Sequence, residues 1–127
     1  MFIVENETFY VTWGDKGSFD VTFEDYTFSQ GDILTLKVYE EDAMDEDPVL
    51  QKSVIIDAEA DIATFNLASA DTRLGDPTNE RVTYWYEITL THSGHVDEEQ
   101  TPFCYDEKGP KLFYIYPGGV NGYGSSI

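Results

Sequence analysis

The chain has 127 residues, the size of one domain, and its 41% apolar and 15% aromatic content argues against global disorder. Its 25 acidic residues outnumber its 7 basic ones, and a net charge of −18 argues against binding of nucleic acid or an anionic membrane surface. A lone cysteine, Cys104, excludes an intramolecular disulfide, and no segment has the pattern of a signal peptide or a membrane helix. We expect a soluble protein that is made in the cytoplasm.

Alternation of apolar and polar side chains predicts strands through the first half of the chain. Phe9, Val11 and Trp13 share one face of the first strand, and a turn at residues 14–17 follows it. Residues 26–32 indicate an aromatic corner, and the acidic run at residues 40–47 indicates a solvated loop. Lys52 is expected to protect an edge strand. The predicted strands are residues 9–13, 18–23, 33–39 and 49–56.

The second half continues the pattern with residues 62–67 and a polar loop at 69–80 that contains one helical turn. The strongest strand is 82–91, in which Tyr84 and Tyr86 point to the core while Trp85 lies on the polar face. Ser93 and Gly94 predict a hairpin turn, and residues 100–105 and 111–116 are the candidates for the returning strand.

These short strands without an amphipathic helix predict an all-β fold, a two-sheet antiparallel immunoglobulin-like β-sandwich of about seven strands. The domain would span residues 1–116. Residues 117–127 are glycine-rich without periodicity and are expected to form a flexible tail, in which Tyr123 and Ile127 are the side chains best suited to docking.

Three segments indicate a family, FYVTWGDKGSFDVTF at 9–23, YTFSQGDILTLKV at 26–38 and YWYEITLT at 84–91. Over roughly residues 8–91 the chain resembles the immunoglobulin-like N-terminal module of phage upper baseplate proteins. The resemblance implies a structural role in a tail tip without catalysis, with other tail subunits or a second copy as partners. Residues 92–110 depart from the family, since they are longer and more acidic than its usual hairpin.

His92 and His95 lie beside the acidic residues 97–99, and imidazole and carboxylate groups both bind zinc or manganese. A polar hairpin places histidines there without a metal. Asp42, Asp45 and Asp47 lack the ligand spacing and the glycine of a calcium loop. We therefore predict no metal.

Catalytic groups are equally poorly supported. Cys104 lacks the sequence signature and orienting group of a thiol nucleophile, and the neighbouring carboxylates Glu24 and Asp25 are expected by chance in so acidic a chain. The sequence predicts a non-enzymatic protein without a cofactor.

The predicted interaction surface centres on Trp85, which would share a polar sheet face with Tyr39 and Lys37. Assembly with phage tail subunits is the first hypothesis, with residues 117–127 as a docking segment added to a strand edge. Recognition of a cell-wall glycan by Trp85, Tyr39 and Trp13 is the alternative. A structural alternative is that the tail or the acidic hairpin covers Trp85. A third functional hypothesis is that the acidic chain imitates nucleic acid and blocks a DNA-binding enzyme.

Overall fold

The computed structural model describes residues 1–23, 26–40, 47–76, 79–92, 99–103, 105–106 and 109–117, with the backbone alone between 99 and 110. In these residues the chain forms strands and one single-turn 3₁₀ helix, Ser69–Thr72. The strands are β1 (Phe2–Glu5), β2 (Thr8–Thr12), β3 (Gly17–Val21), β4 (Ile33–Tyr39), β5 (Leu50–Ile55), β6 (Ala63–Leu67), β7 (Val82–Thr91), β8 (Glu99–Phe103), β9 (Tyr105–Asp106), β10 (Gly109–Pro110) and β11 (Leu112–Tyr116).

Most strands belong to one large sheet, in the order β1-β2-β11-β7-β4-β5, with β8 pairing with the second half of β7. A smaller sheet consists of β3 and β6, and β9 pairs with β10. The all-β prediction is confirmed. The prediction of an antiparallel fold is wrong for one pair, because β11 runs parallel to β2. These strands come from opposite ends of the chain, so no hairpin forces them to be antiparallel.

Sequence periodicity located the strands well. The predicted bounds of β4 and β7 agree with the structure, the 3₁₀ helix lies in the loop expected to hold a helical turn, and β5 ends the large sheet as predicted. The prediction of about seven strands was too low, since β1 and the short β9 and β10 were missed. The predicted turn at Ser93 and Gly94 lies outside the described residues.

A tight hairpin joins β1 to β2. Its two central residues, Asn6 and Glu7, have positive φ angles of 51° and 63°, the left-handed conformation that a two-residue turn of this kind requires. The turn is stabilised by a residue of another strand, Tyr86 in β7, whose hydroxyl donates to the carbonyl of Glu7 at 2.6 Å. The buried Lys111 ammonium also lies 2.5 Å from the Glu7 carboxylate. These contacts offset the backbone strain at Glu7.

The core lies between the two sheets. We call the side of the large sheet that carries Phe9 the inner face and the opposite side the outer face. The Phe9 ring lies 4.7 Å from the ring of Phe19 in β3, 4.9 Å from Tyr86 and 4.8 Å from Phe113. Tyr84 and Tyr86 are buried, as predicted. Alternate residues of β2, β7 and β11 therefore point away from the core and form the outer face.

Candidate functional site

Strand register brings three of the predicted interaction residues, Trp85, Tyr39 and Lys37, together on the outer face. Tyr39 in β4 lies directly opposite Trp85 in β7, and Lys37 lies opposite Glu87. Trp85 and Lys37 are partly exposed. Tyr39 is buried, with 4% of its surface exposed, and its hydroxyl donates to the Glu87 carboxylate at 2.6 Å. Trp85 and Lys37 are thus accessible, whereas Tyr39 is a supporting residue and not the exposed aromatic surface that was expected.

A second group of aromatic residues on the outer face was not predicted. Tyr10 in β2 lies 5.7 Å from Tyr114 and 6.5 Å from Tyr116 in β11, measured between ring centroids. All three are partly exposed, and we call them the tyrosine cluster. The guanidinium of Arg81 lies 4.1 Å from the centre of the Tyr114 ring, a distance at which a cation is attracted to an aromatic face. The parallel pairing of β2 and β11 creates this cluster.

Trp13 does not belong to the same surface. Its side chain packs against the hydrophobic core, and its indole N–H donates to the carbonyl of Gly75 at 3.3 Å. The guanidinium of Arg73 lies 5.8 Å from the centre of its ring. A stacking platform that combines Trp13 with Trp85 is therefore excluded, because alternation along β2 places Trp13 on the side of Phe9 and Val11.

The predicted aromatic corner contains a hydrogen-bond network around a buried carboxylate. Phe28 is fully buried at this corner. Asp32, 1% exposed, accepts hydrogen bonds from the Tyr26 hydroxyl at 2.6 Å and from the Ser29 backbone N–H at 2.9 Å. The Tyr26 hydroxyl also lies 3.1 Å from Nδ1 of His92. His92 is therefore part of a structural network that closes the corner.

The corner predicts a dependence of stability on alkaline pH. Burial, the hydrogen bond to Asp32 and the negative charge of Asp32 raise the pKa of Tyr26 from 10.0 to about 12. The folded protein therefore keeps the phenol proton that the unfolded chain begins to lose near pH 10, so this contribution is complete below that pH and is lost as the pH rises through about 12.

Titration of tyrosinate by ultraviolet absorbance measures this shift. We expect Tyr26→Phe to remove a step near pH 12 from the titration curve of the folded protein, whereas Ile62→Ser, a change at an exposed residue without a titratable group, leaves that step in place. Persistence of the step in Tyr26→Phe would show that the corner does not hold the Tyr26 proton.

A cavity of about 160 Å³ opens beside the β1–β2 turn. Its walls include Val4, Phe19, Val21 and Ile88, with Glu7 and Asp20 among the polar lining residues. The Asp20 carboxylate accepts a hydrogen bond from Thr64 at 2.8 Å, and the Glu7 carboxylate pairs with Lys111. Both acids are thus engaged in structural contacts, and the cavity suits an apolar side chain better than it suits acid–base chemistry.

In the described part of the chain, no cluster of three or more histidine, cysteine or acidic side chains has the geometry of a metal site. Within the same residues, every buried side-chain nitrogen or oxygen atom has a hydrogen-bond partner. The docking residues Tyr123 and Ile127 lie outside the described residues, so their role stays a prediction. The same holds for the residues for which we predicted no metal or catalytic role: Glu24, Asp25, Asp42, Asp45, His95 and Cys104.

No protein-family model matches the chain, and no curated protein matches it significantly. None of the helical structure in the described ranges has the length and apolar content needed to span a membrane.

Proposed function

We propose that the chain is a non-enzymatic assembly module that binds protein through the outer face of its large sheet. The tyrosine cluster carries this proposal. Tyrosine, tryptophan and arginine dominate the energetics of protein interfaces, and this face presents Tyr10, Tyr114, Trp85 and Arg81. Tyrosine and tryptophan also supply large contact areas at a small cost in conformational entropy, because each has only two side-chain torsions.

An immunoglobulin-like sandwich is the architecture that we infer for this module. The order β11-β7-β4-β5 corresponds to the strand order of the larger sheet in variable-type domains, and β3 with β6 corresponds to two strands of the opposite sheet. The parallel pair β2 and β11 supports the same assignment, since it joins the first and last parts of the domain on one sheet. Sheets of this kind present an exposed face and loops for recognition.

A phage or prophage tail component is the specific role that we propose, on the strength of the resemblance to upper baseplate modules. The protein would be made in the host cytoplasm and incorporated into the virion, with other tail subunits or further copies as partners. A net charge of −18 favours cationic protein partners and disfavours nucleic acid and anionic membranes. Recognition would proceed by surface complementarity without a cofactor.

Sedimentation of the epitope-tagged chain, expressed from its own locus, tests this role. We expect the tagged protein to sediment with large particles after the particle-forming genes are induced, and the double variant Tyr10→Ser and Tyr114→Ser to stay with slowly sedimenting proteins. Ile62→Ser removes an exposed apolar residue, 51% exposed and outside the large sheet, and serves as the matched control that still enters particles. A wild-type chain found only among slowly sedimenting proteins would contradict the proposal.

Glycan recognition is the second candidate, because Trp85 is partly exposed on the outer face. Its signature would be a change in tryptophan emission upon addition of soluble cell-wall fragments. That change would be present in the wild type and in Trp13→Phe and absent in Trp85→Phe. Such a response, combined with exclusion from particles, would replace the assembly proposal.

A further inference from the structure

The first strand forms an unusually apolar sheet edge. β1 ends the large sheet, and within the described residues no strand pairs with its outer edge. Met1, Ile3 and Val4 are 44%, 49% and 40% exposed, which makes three of the exposed large apolar side chains neighbours on one segment. Edge strands are usually protected by lysine, proline or a bulge. The only charged side chain of β1 is Glu5, at its end.

Phe2 fixes the position of this edge. Its ring packs against Gly17 in β3, where an added Cβ atom would lie only 2.2 Å from the Phe2 ring. The centroid of the Phe2 ring lies 6.3 Å from that of Phe9. β1 is therefore attached both to β2 by its hairpin and to the smaller sheet by an aromatic anchor. A partner that pairs with this edge meets an ordered strand, which lowers the entropic cost of binding.

The register of the hairpin determines which backbone groups point to the free edge. Glu5 and Thr8 flank the two-residue turn, so they form a hydrogen-bonded pair, and the pairs then alternate along the antiparallel strands. The Thr12 N–H donates to the Met1 carbonyl at 2.8 Å, as this alternation requires. Ile3 therefore bonds to β2, whereas the N–H and C=O groups of Phe2 and Val4 point outward.

We propose that this edge pairs with β1 of a second copy, antiparallel and centred on Ile3. In this register Phe2 of each copy faces Val4 of the other, and both pairs exchange N–H···O bonds in the two directions. The two-fold axis passes between the Ile3 side chains, so the contact is closed and isologous. A shift of the axis to Phe2 or Val4 would leave one outward-pointing residue of each strand without its counterpart.

The side chains and charges are compatible with this pairing. Phe2 and Val4 remain on the inner face and Ile3 on the outer face, so each contact across the axis joins apolar groups. The two Glu5 side chains would lie at opposite ends of the pair, about 14 Å apart along the strand direction. That separation exceeds the distance of about 8–10 Å over which charges interact at physiological ionic strength.

Pairing would also enlarge the proposed binding face. Ile3 lies opposite Tyr10, and Tyr10 lies opposite Tyr114 on its other side. A dimer through β1 therefore joins the outer faces of two large sheets into one surface with two tyrosine clusters. This inference rests on the proposed assembly function and names one of the partners as a second copy of the chain.

Disulfide cross-linking tests the register directly. In a Cys104→Ser background, Ile3→Cys places two thiols opposite each other in a pair that is not hydrogen-bonded, where a Cα separation of about 4.5 Å permits a disulfide. Ile55→Cys on the edge strand β5 is the control, because Ile55 is more exposed, at 67%. We expect Ile3→Cys to form dimers at least about tenfold faster, since pairing raises the effective thiol concentration. Equal rates would overturn the proposal.

Sedimentation velocity of Ile3→Lys supplies an independent result. This change adds a positive charge to a chain of net charge −18, so it lowers the repulsion between copies. We nevertheless expect it to convert the wild-type dimer to monomer, because the lysine charges would face each other on the axis, whereas Ile55→Lys remains dimeric. A dimer that survives Ile3→Lys, or a wild-type monomer at all concentrations, overturns the edge proposal. Neither result bears on entry into particles, which tests the proposed function separately.

Discussion

Replacement of Phe9 by alanine is expected to lower the free energy of unfolding by about 3–5 kcal/mol. The Phe9 side chain is 1% exposed and contacts aromatic rings on both sheets, including Phe19 in β3 and Phe113 in β11. Its loss leaves a cavity between the sheets in addition to removing apolar surface from the core. Urea denaturation followed by tryptophan fluorescence measures the effect.

Tyr10 provides the matched control, because it is the next residue of β2 and points to the outer face. We expect Tyr10→Ala to cost about 1 kcal/mol or less, since only contacts within the tyrosine cluster are lost. Should Phe9→Ala fail to fold, Phe9→Leu retains part of the volume and should show a smaller loss. Equal destabilisation by Phe9→Ala and Tyr10→Ala would contradict the division of the large sheet into a buried inner face and a solvent-facing outer face.

Asp32→Ala is expected to cost about 3 kcal/mol, because hydrogen bonds to a charged group contribute about 1.5–3 kcal/mol each. The carboxylate, which belongs to a residue only 1% exposed, accepts hydrogen bonds from the Tyr26 hydroxyl and the Ser29 N–H. Its removal leaves those donors without this acceptor, so the segment between β3 and β4 loses two hydrogen bonds that stabilise its conformation. Thermal or urea unfolding monitored by circular dichroism gives the measurement.

Asp32→Asn separates shape from charge at the same position. The amide keeps the side-chain volume and one acceptor oxygen but removes the negative charge, so we expect a smaller loss of stability than in Asp32→Ala. The same variant removes two of the causes that raise the pKa of Tyr26, its hydrogen bond to the carboxylate and the nearby charge. An unchanged stability in Asp32→Ala would show that the corner is held by the aromatic packing of Phe28 alone.

Local periodicity predicted much of the fold because strands that are half buried alternate strictly. The bounds of β4 and β7, the burial of Tyr84 and Tyr86 and the outward position of Trp85 followed from that alternation. β1 was not predicted because its turn, Asn6-Glu7, lacks the glycine that usually marks a two-residue hairpin. The left-handed conformation of Glu7 is held by Tyr86 and Lys111, contacts that no local pattern contains.

The outer face was predicted only in part. Lys37 and Trp85 lie on it and are partly exposed, as expected. Alternation identifies the strand face on which a side chain lies but not whether other groups bury it, so the burial of Tyr39 was not predicted. The tyrosine cluster depends on the parallel pairing of β2 with β11. Tyr10 and Tyr114 lie at opposite ends of the chain, and their contact is a property of topology that a local sequence window cannot reveal.

The molar mass of the full chain, measured by light scattering after size exclusion over a range of concentrations, tests the central claim of assembly most directly. At moderate salt, which screens the repulsion of two acidic copies, we predict a mass that approaches twice 14.4 kDa as concentration rises. A variant that ends at Tyr116 should behave in the same way, since β1 forms the contact. A constant mass of 14.4 kDa for the full chain would contradict self-assembly, and a dimer lost on truncation would place the contact in residues 117–127 instead of β1.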